Sequence, residues 1–298
     1  MSQFLTYMHL LTPLHTGGSA DEGNLMGIAR EVHTEFPYLP SSSLRGRIRA
    51  AIEQGKPKAD EKPEVHEKLI AEAGQLFGRK IKDGNQPTEG EVWFADATLL
   101  AFPIASLTHH LVWITCPLWL TRWNRWLKGS PLTNEIQLIQ SELATNSKVA
   151  VSTFATQDFY VQTALLKATE ISVLPNSESQ PSALLELFPK VDSLLSDVTQ
   201  KLIIISNENC IALVETGLQR EVRVALEENS KTVKGGSFRS EEAIPPEAIM
   251  FVPWGIKTES VNTHSARDRL KAIMTQRCQF GGLEGLGRGW VDLQTIDV

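Results

Sequence analysis

Three cysteines, Cys116, Cys210 and Cys278, stand far apart with no CxxC pair. That spacing argues against a zinc site or a disulfide framework and fits a reducing compartment. An excess of basic residues is also missing: 29 Lys and Arg face 35 Asp and Glu, for a net charge of −6. A protein that coats nucleic acid nonspecifically needs a broad basic surface, so any nucleic-acid contact here must be local. No apolar run is long enough to span a bilayer, and the apolar start lacks a basic leading region and is broken by His9, Thr12 and Pro13. The chain therefore reads as cytoplasmic, with no membrane partner. Internal repeats and low-complexity tracts are absent. So are the spacings of the common catalytic and nucleotide motifs: no GxGxxG after a strand, no GxxxxGK[ST], no HExxH, and no GxSxG around Ser41–Ser43.

What is present is 42% apolar content in 298 residues, enough for one large core or two small ones. Phe4 to Leu11 reads as a first strand. Leu44, Ile48, Ala51 and Ile52 fall at helical spacing after the serines 41–43, which predicts an amphipathic helix over Leu44 to Gln54, ended by Gly55 and Pro57. Gly55 to Glu67 is charged and proline-containing, and reads as a surface linker. Val92 to Leu100 and His110 to Thr115 read as buried strands. Pro117 opens a helix whose Trp119, Trp123, Trp126 and Leu127 recur on one face, a stripe read as core packing ahead of a base-stacking surface. Lys148 to Thr153 and Phe159 to Leu166 look extended, Leu184 to Leu202 helical, Ile203 to Ile205 a short strand, and Ser265 to Arg277 helical. Val222 to Leu226 alternates, breaks through Glu227 to Gly236, and resumes toward Ile244. That pattern is a long hairpin turning at Gly235-Gly236, or else a surface loop.

Three features carry candidate chemistry. Arg45, Arg47 and Arg49 lie in the first turns of the helix after Ser43, where cations oppose the macrodipole by about 0.3–1 kcal/mol each. They are either a solvated face or, with the free N–H groups of the helix start, a phosphate site. Between residues 281 and 289, five glycines let backbone approach a ligand closely. Asp21 and Glu22 sit in a glycine-flanked loop near Arg30, where carboxylates hold Mg²⁺ or activate a hydroxyl, or are merely solvated.

In series, Thr12-Pro13-Leu14-His15-Thr16-Gly17, Ile28-Ala29-Arg30-Glu31, His33 to Pro37, Ser42-Ser43-Leu44-Arg45-Gly46, Phe94 to Leu100, Glu241 to Pro245 and Gly281-Gly282 to Gly287-Arg288-Gly289 resemble the backbone subunits of the type III-B CRISPR effector (Cmr) complex, within the RAMP superfamily. The resemblance covers nearly the whole chain. It implies an α+β fold: a modified ferredoxin-like, RRM-type palm with helical insertions and a protruding β-hairpin thumb. The expected layout is a single domain over 1–298, with a surface insert at 55–90, insertions over 117–202 and the thumb at 222–245. The implied partners are CRISPR RNA, target single-stranded RNA, further copies of the chain and other Cmr-complex subunits. The implied RNA-binding residues are His15, Arg30, Ser43, Arg45, Arg47, Arg49, Gly282, Gly287 and Arg288, with Lys231, Lys234, Phe238 and Arg239 on the thumb. Family members that cut target RNA use an aspartate in a D-x-P-I-x-R pattern. With Arg30 as its arginine, the aspartate position here is Leu25 and the proline position Gly27. Asp21 is a candidate substitute, and no cofactor is expected to be tightly bound, with Mg or Mn needed only if the chain cleaves. The resemblance thus implies a metal-dependent endoribonuclease family in which this chain's target cleavage is weak or lost. The alternative within the superfamily is a standalone endoribonuclease that processes CRISPR RNA, with His15 or His33 as general acid–base. A nucleotide-binding metabolic enzyme using the terminal glycine loop would need a phosphate-loop lysine that the sequence does not supply.

Overall fold

The computed structural model describes residues 2–18, 21–22, 25–54, 63–79, 88–145, 148–154, 157–175, 181–190, 196–230, 232–233, 237–257 and 263–298. In chain order the first elements are β1 (Ser2–Leu10), β2 (Asp21–Glu22), β3 (Leu25–Met26), β4 (Tyr38–Leu39), α1 (Ser41–Glu53), α2 (Pro63–Phe77), β5 (Val92–Phe94), β6 (Ala97–Ser106) and β7 (His110–Thr115). Then follow α3 (Pro117–Asn124), α4 (Thr133–Ala144), β8 (Ala150–Ser152), β9 (Phe159–Val161), β10 (Ala164–Leu166), β11 (Ile171–Val173), α5 (Ala183–Leu187), α6 (Ser196–Gln200), β12 (Leu202–Ile205) and α7 (Asn207–Gly217). The chain ends with β13 (Gln219–Arg223), β14 (Arg239–Ala243), β15 (Ile249–Ile256), α8 (His264–Ile273), β16 (Cys278–Gln279) and β17 (Trp290–Asp297).

At the centre of the large sheet the strands run β17-β1-β15-β6, each antiparallel to its neighbour. With α1 between β1 and β6, and α8 between β15 and β17, the chain follows a β-α-β-β-α-β path with other elements inserted. Both faces of this sheet are covered, which explains why β1 reads as a continuous apolar run instead of an alternation. Phe4, Met8 and Leu10 enter the core beneath α1, α2 and α8; Leu5 and Tyr7 enter the opposite core with α3 and α4. Trp119 and Trp123 are buried, and the Trp123 indole N–H donates to the Tyr7 hydroxyl at 3.0 Å. Burial is the main reason the Tyr7 pKa is raised to about 12, partly offset by that Trp123 bond.

Two sequence expectations need correction. The 55–90 stretch is not surface throughout: residues 63–77 form α2, which buries Leu69, Ala73, Leu76 and Phe77 against α1 and α8. Those four positions have helical spacing, and the charges of the preceding residues hid it. Leu184 to Leu202 is not one helix: α5 ends at Leu187 and Leu202 already opens β12, which leads into α7, capped by Ser206 accepting the Asn209 N–H at 3.2 Å.

A second, four-stranded sheet runs β13-β14-β3-β2. Its hairpin, β13 with β14, pairs Gln219 with Ala243 and Arg223 with Arg239, and a further bridge joins Leu226 to Val233. The Gly235-Gly236 turn expected from the sequence lies outside the described residues. Among the described residues no helix is long and apolar enough to cross a membrane.

Candidate nucleic-acid interface

The arginines of α1 divide by face. Arg45 donates to Val92 O at 2.8 Å and to Phe77 O, and its guanidinium lies 5.5 Å from the Phe77 ring centroid. Arg49 donates to Glu53 at 2.7 Å and to Gly78 O at 2.9 Å. Phe77 ends α2, so these two cations serve the carbonyl end of a neighbouring helix, where the macrodipole favours positive charge. That resolves the apparent electrostatic misplacement in the sequence, since Arg45 and Arg49 are both engaged within the fold. Burial, then the nearby Arg49, lowers the Arg45 pKa. Replacing Arg45 with Met is expected to lower stability by about 1.5–3 kcal/mol through loss of its charged hydrogen bonds, read from urea midpoints. The start of α1 is engaged as well, because the Asp96 carboxylate accepts the Ser41 N–H at 2.7 Å.

Arg47 looks the other way. Its Nε donates to Gln279 O at 2.8 Å and lies 3.9 Å from Glu284, so α1 and the glycine loop share one surface with Arg47 at the seam. Ser43 sits half-buried one turn earlier. The loop itself is pinned at both ends: Phe280 N–H donates to Gly289 O at 2.9 Å, Gly289 N–H to Pro13 O at 2.9 Å, and Gly282 N–H to His15 O at 2.8 Å. His15 is buried, and its Nδ1 donates to the Glu242 carbonyl at 2.9 Å, so this imidazole acts as a structural pivot in the free chain. Beyond the pinned section Gly287, Leu286 and Trp290 are exposed or nearly so.

Where β13 and β14 meet the body, four arginines and four glutamates close into two rings that the sequence reading missed. In the first, Arg30 binds Glu215 and, at 2.9 Å, Glu242, while Arg220 reaches the same carboxylates at 3.7 and 3.0 Å. In the second, Arg223 lies 3.3 Å from Glu221 and 3.0 Å from Glu241, and Arg288 lies 2.6 and 3.8 Å from the same pair. Glu241 and Glu242 are consecutive in β14, so they point to opposite faces and each anchors one ring. Burial disfavours the Arg30 cation, but hydrogen bonds and charge from Glu242 and Glu215 outweigh it and raise its pKa. The Arg288 hydrogen bond is the main reason the Glu221 pKa is lowered. The available signal was charge of both signs on facing strands, Gln219-Arg220-Glu221-Val222-Arg223 against Arg239-Ser240-Glu241-Glu242-Ala243.

Farther out, Val222, Val224, Leu226, Val233 and Phe238 are all exposed by 42–59%, and Arg239 is exposed beside Phe238. Lys231 and Lys234 lie outside the described residues. Leu25, at the expected aspartate position, is half-buried in β3 and pairs with Ser240 and with Glu22. The Asp21 backbone pairs with Met26, one ladder position away from Leu25. Among the described residues no group of three or more His, Cys, Asp or Glu is placed to hold a metal ion. Beside Arg30, the tight turn of residues 31–36 is braced by a two-pronged ion pair from Arg122 to Glu31, at 2.7 and 2.9 Å, and presents His33 to solvent.

Over residues 7–292 the chain matches the family model described as the RAMP superfamily. It is 25% identical over 310 residues to the CRISPR system Cmr endoribonuclease Cmr4 of Pyrococcus furiosus, with 100% of this chain and 97% of that protein covered. It is 22% identical over 311 residues to the CRISPR system CMR subunit Cmr4 of Saccharolobus solfataricus, with 98% and 96% covered. A chain of the type III-B Cmr-beta complex bound to cognate target RNA superposes with a TM-score of 0.74 at 19% identity, covering 99% of this chain and 97% of that one. Oligomeric Cmr4 from Pyrococcus furiosus gives a TM-score of 0.65 at 21% identity, covering 100% and 99%. At these identities the structural likenesses establish a shared fold.

Proposed function

The chain belongs to the RAMP superfamily, and from that premise we propose that it is a CRISPR RNA-binding backbone subunit of a type III-B RNA-guided effector complex. Several copies stack along the guide, beside other subunits of the complex, and hold the guide–target RNA duplex. The observation that carries this reading is the hairpin of β13 and β14, which keeps five apolar side chains in water next to exposed and ion-paired arginines. Apolar surface of that kind without a partner marks an interaction site, and bases offer flat apolar faces to Phe238 and its neighbours. The guide backbone passes over Ser43, Arg47 and the loop from Gly282 to Arg288, where exposed backbone and one half-exposed guanidinium share a surface. Arg30 and Arg288 set the root of the hairpin, and Arg45 and Arg49 hold α1 to α2 beneath that surface.

Target cleavage by this subunit is weak or absent. Aligning a ribose 2′-hydroxyl for in-line attack needs a base or a metal ligand near the scissile phosphate, and loss of either costs orders of magnitude in rate. Leu25 has no group to offer in the place of that aspartate. The test is to assemble the chain with guide RNA, add matching labelled target with Mg²⁺ or Mn²⁺, and look for regularly spaced fragments. Little or no cleavage is expected; regular fragments that vanish with Asp21→Ala would instead assign the lost role to Asp21. The same assembly separates the superfamily alternatives. A backbone subunit gives a ladder of RNA complexes as copies add, whereas a processing endoribonuclease gives one complex with one RNA hairpin and loses cutting with His33→Ala.

A further inference from the structure

The hairpin root sets like charges face to face. In the β13–β14 register Glu221 lies directly opposite Glu241, and Arg223 directly opposite Arg239. Such pairs destabilise an antiparallel ladder unless opposite charges come between them. The glutamates have theirs, since Arg223 and Arg288 bridge both carboxylates. Arg239 has none: its side chain is exposed and has no ionic or hydrogen-bond partner among the described residues. Among the described side chains, three guanidiniums meet two carboxylates here, and the one left over is Arg239.

We propose that Arg223 and Arg239 form a phosphodiester-binding site at the hairpin root, closed in the free chain by the Glu221 carboxylate and opened when RNA exchanges a phosphate for that carboxylate. The inference rests on the RNA-binding reading above and adds to it a site and a way in. A guanidinium fork donates to phosphate oxygens as readily as to carboxylate oxygens, so the exchange keeps the hydrogen-bond geometry. Glu221 is the carboxylate that leaves because its side chain is 38% accessible, whereas that of Glu241 is 6% accessible and stays beneath Arg223 and Arg288. Gln219, whose side-chain amide donates to Glu221 at 2.6 Å, supplies the remaining hold. A lone phosphate has little advantage over a carboxylate already in place, but a polymer brings the next phosphates to the neighbouring cations. The glutamate thereby makes the site selective for a strand over single anions.

The test measures full-length chain binding to a labelled single-stranded RNA by fluorescence anisotropy, at salt from about 50 to about 200 mM. Glu221→Gln removes the competing charge and keeps the shape. It is expected to tighten binding roughly threefold to tenfold and to steepen the slope of log affinity against log salt by about one. Arg239→Gln, at an exposed side chain without a partner among the described residues, is expected to weaken binding and flatten that slope by about one. Glu221→Gln binding with wild-type affinity and slope, or Arg239→Gln leaving both unchanged, overturns the site. Failure of the wild-type chain to bind the RNA at all overturns the RNA-binding reading and the site together.

Discussion

Gly289→Ala is expected to destabilise the chain by about 3 kcal/mol or more and to abolish guide binding along with the loop it closes. Gly289 has φ +78°, and a Cβ placed there would meet Phe280 O at 1.8 Å, a separation no rotamer change can relieve because the obstacle is backbone. That carbonyl cannot retreat: Phe280 N–H is bonded to Gly289 O, and Gly289 N–H to Pro13 O. The substitution therefore breaks the closure that sets Arg288 on one side and Trp290 on the other. Gly287 provides the control. It has φ +77° and open space where a Cβ would go, so Gly287→Ala bears only the left-handed backbone cost of about 1–2 kcal/mol. Urea melts together with RNA titrations of both variants separate a steric lock at 289 from mere loop flexibility. Equal losses at the two positions would refute the lock.

The contrast between these glycines also shows what a sequence exposes and what it conceals. Five glycines in nine residues mark a loop of close backbone approach, but not which glycine is locked and which is open; that depends on Phe280, Pro13 and His15, which only the fold brings near. The elements of the central sheet were legible because they are long, apolar and bounded by proline or turn residues, as with β1 before Pro13 and α3 from Pro117. α2 was hidden because proline and charge at its start look like a linker, and its burial depends on α1 and α8, distant in sequence. The arginines of α1 show the same limit. Their positions along the helix were readable, whereas the direction each faces was set by the end of α2, a helix absent from the reading. The hairpin was readable from its alternation, but the ionic rings at its root join residues from 30 to 288 and no local pattern reveals which charges meet.

Glu242→Ala is the second substitution expected to cost about 3–5 kcal/mol, since it strips one member from a buried ion-pair network. The Glu242 side chain is 3% accessible and accepts from Arg30 at 2.9 Å and from Arg220 at 3.1 and 3.0 Å. Without it, the half-buried Arg30 keeps one carboxylate, Glu215, and that group is shared with Arg220. Two guanidiniums then repel across a site that held them by attraction, and the root of the hairpin loses its fixed angle. The effect should be strongly asymmetric between the two rings' carboxylates, because Glu221 is far more accessible and its removal lets Arg223 and Arg288 fall back on Glu241. Guanidinium chloride is unsuitable for the measurement, because it screens the charges under study; urea is not charged and leaves them intact. Glu242→Ala should shift the urea midpoint strongly downward while Glu221→Gln barely moves it, and in RNA titrations the two should act in opposite directions. If Glu242→Ala instead keeps the wild-type midpoint, the rings are surface decoration, and the hairpin must take its orientation from backbone contacts, the pairing of β14 with β3 and the bridge of Ile244 to Leu14.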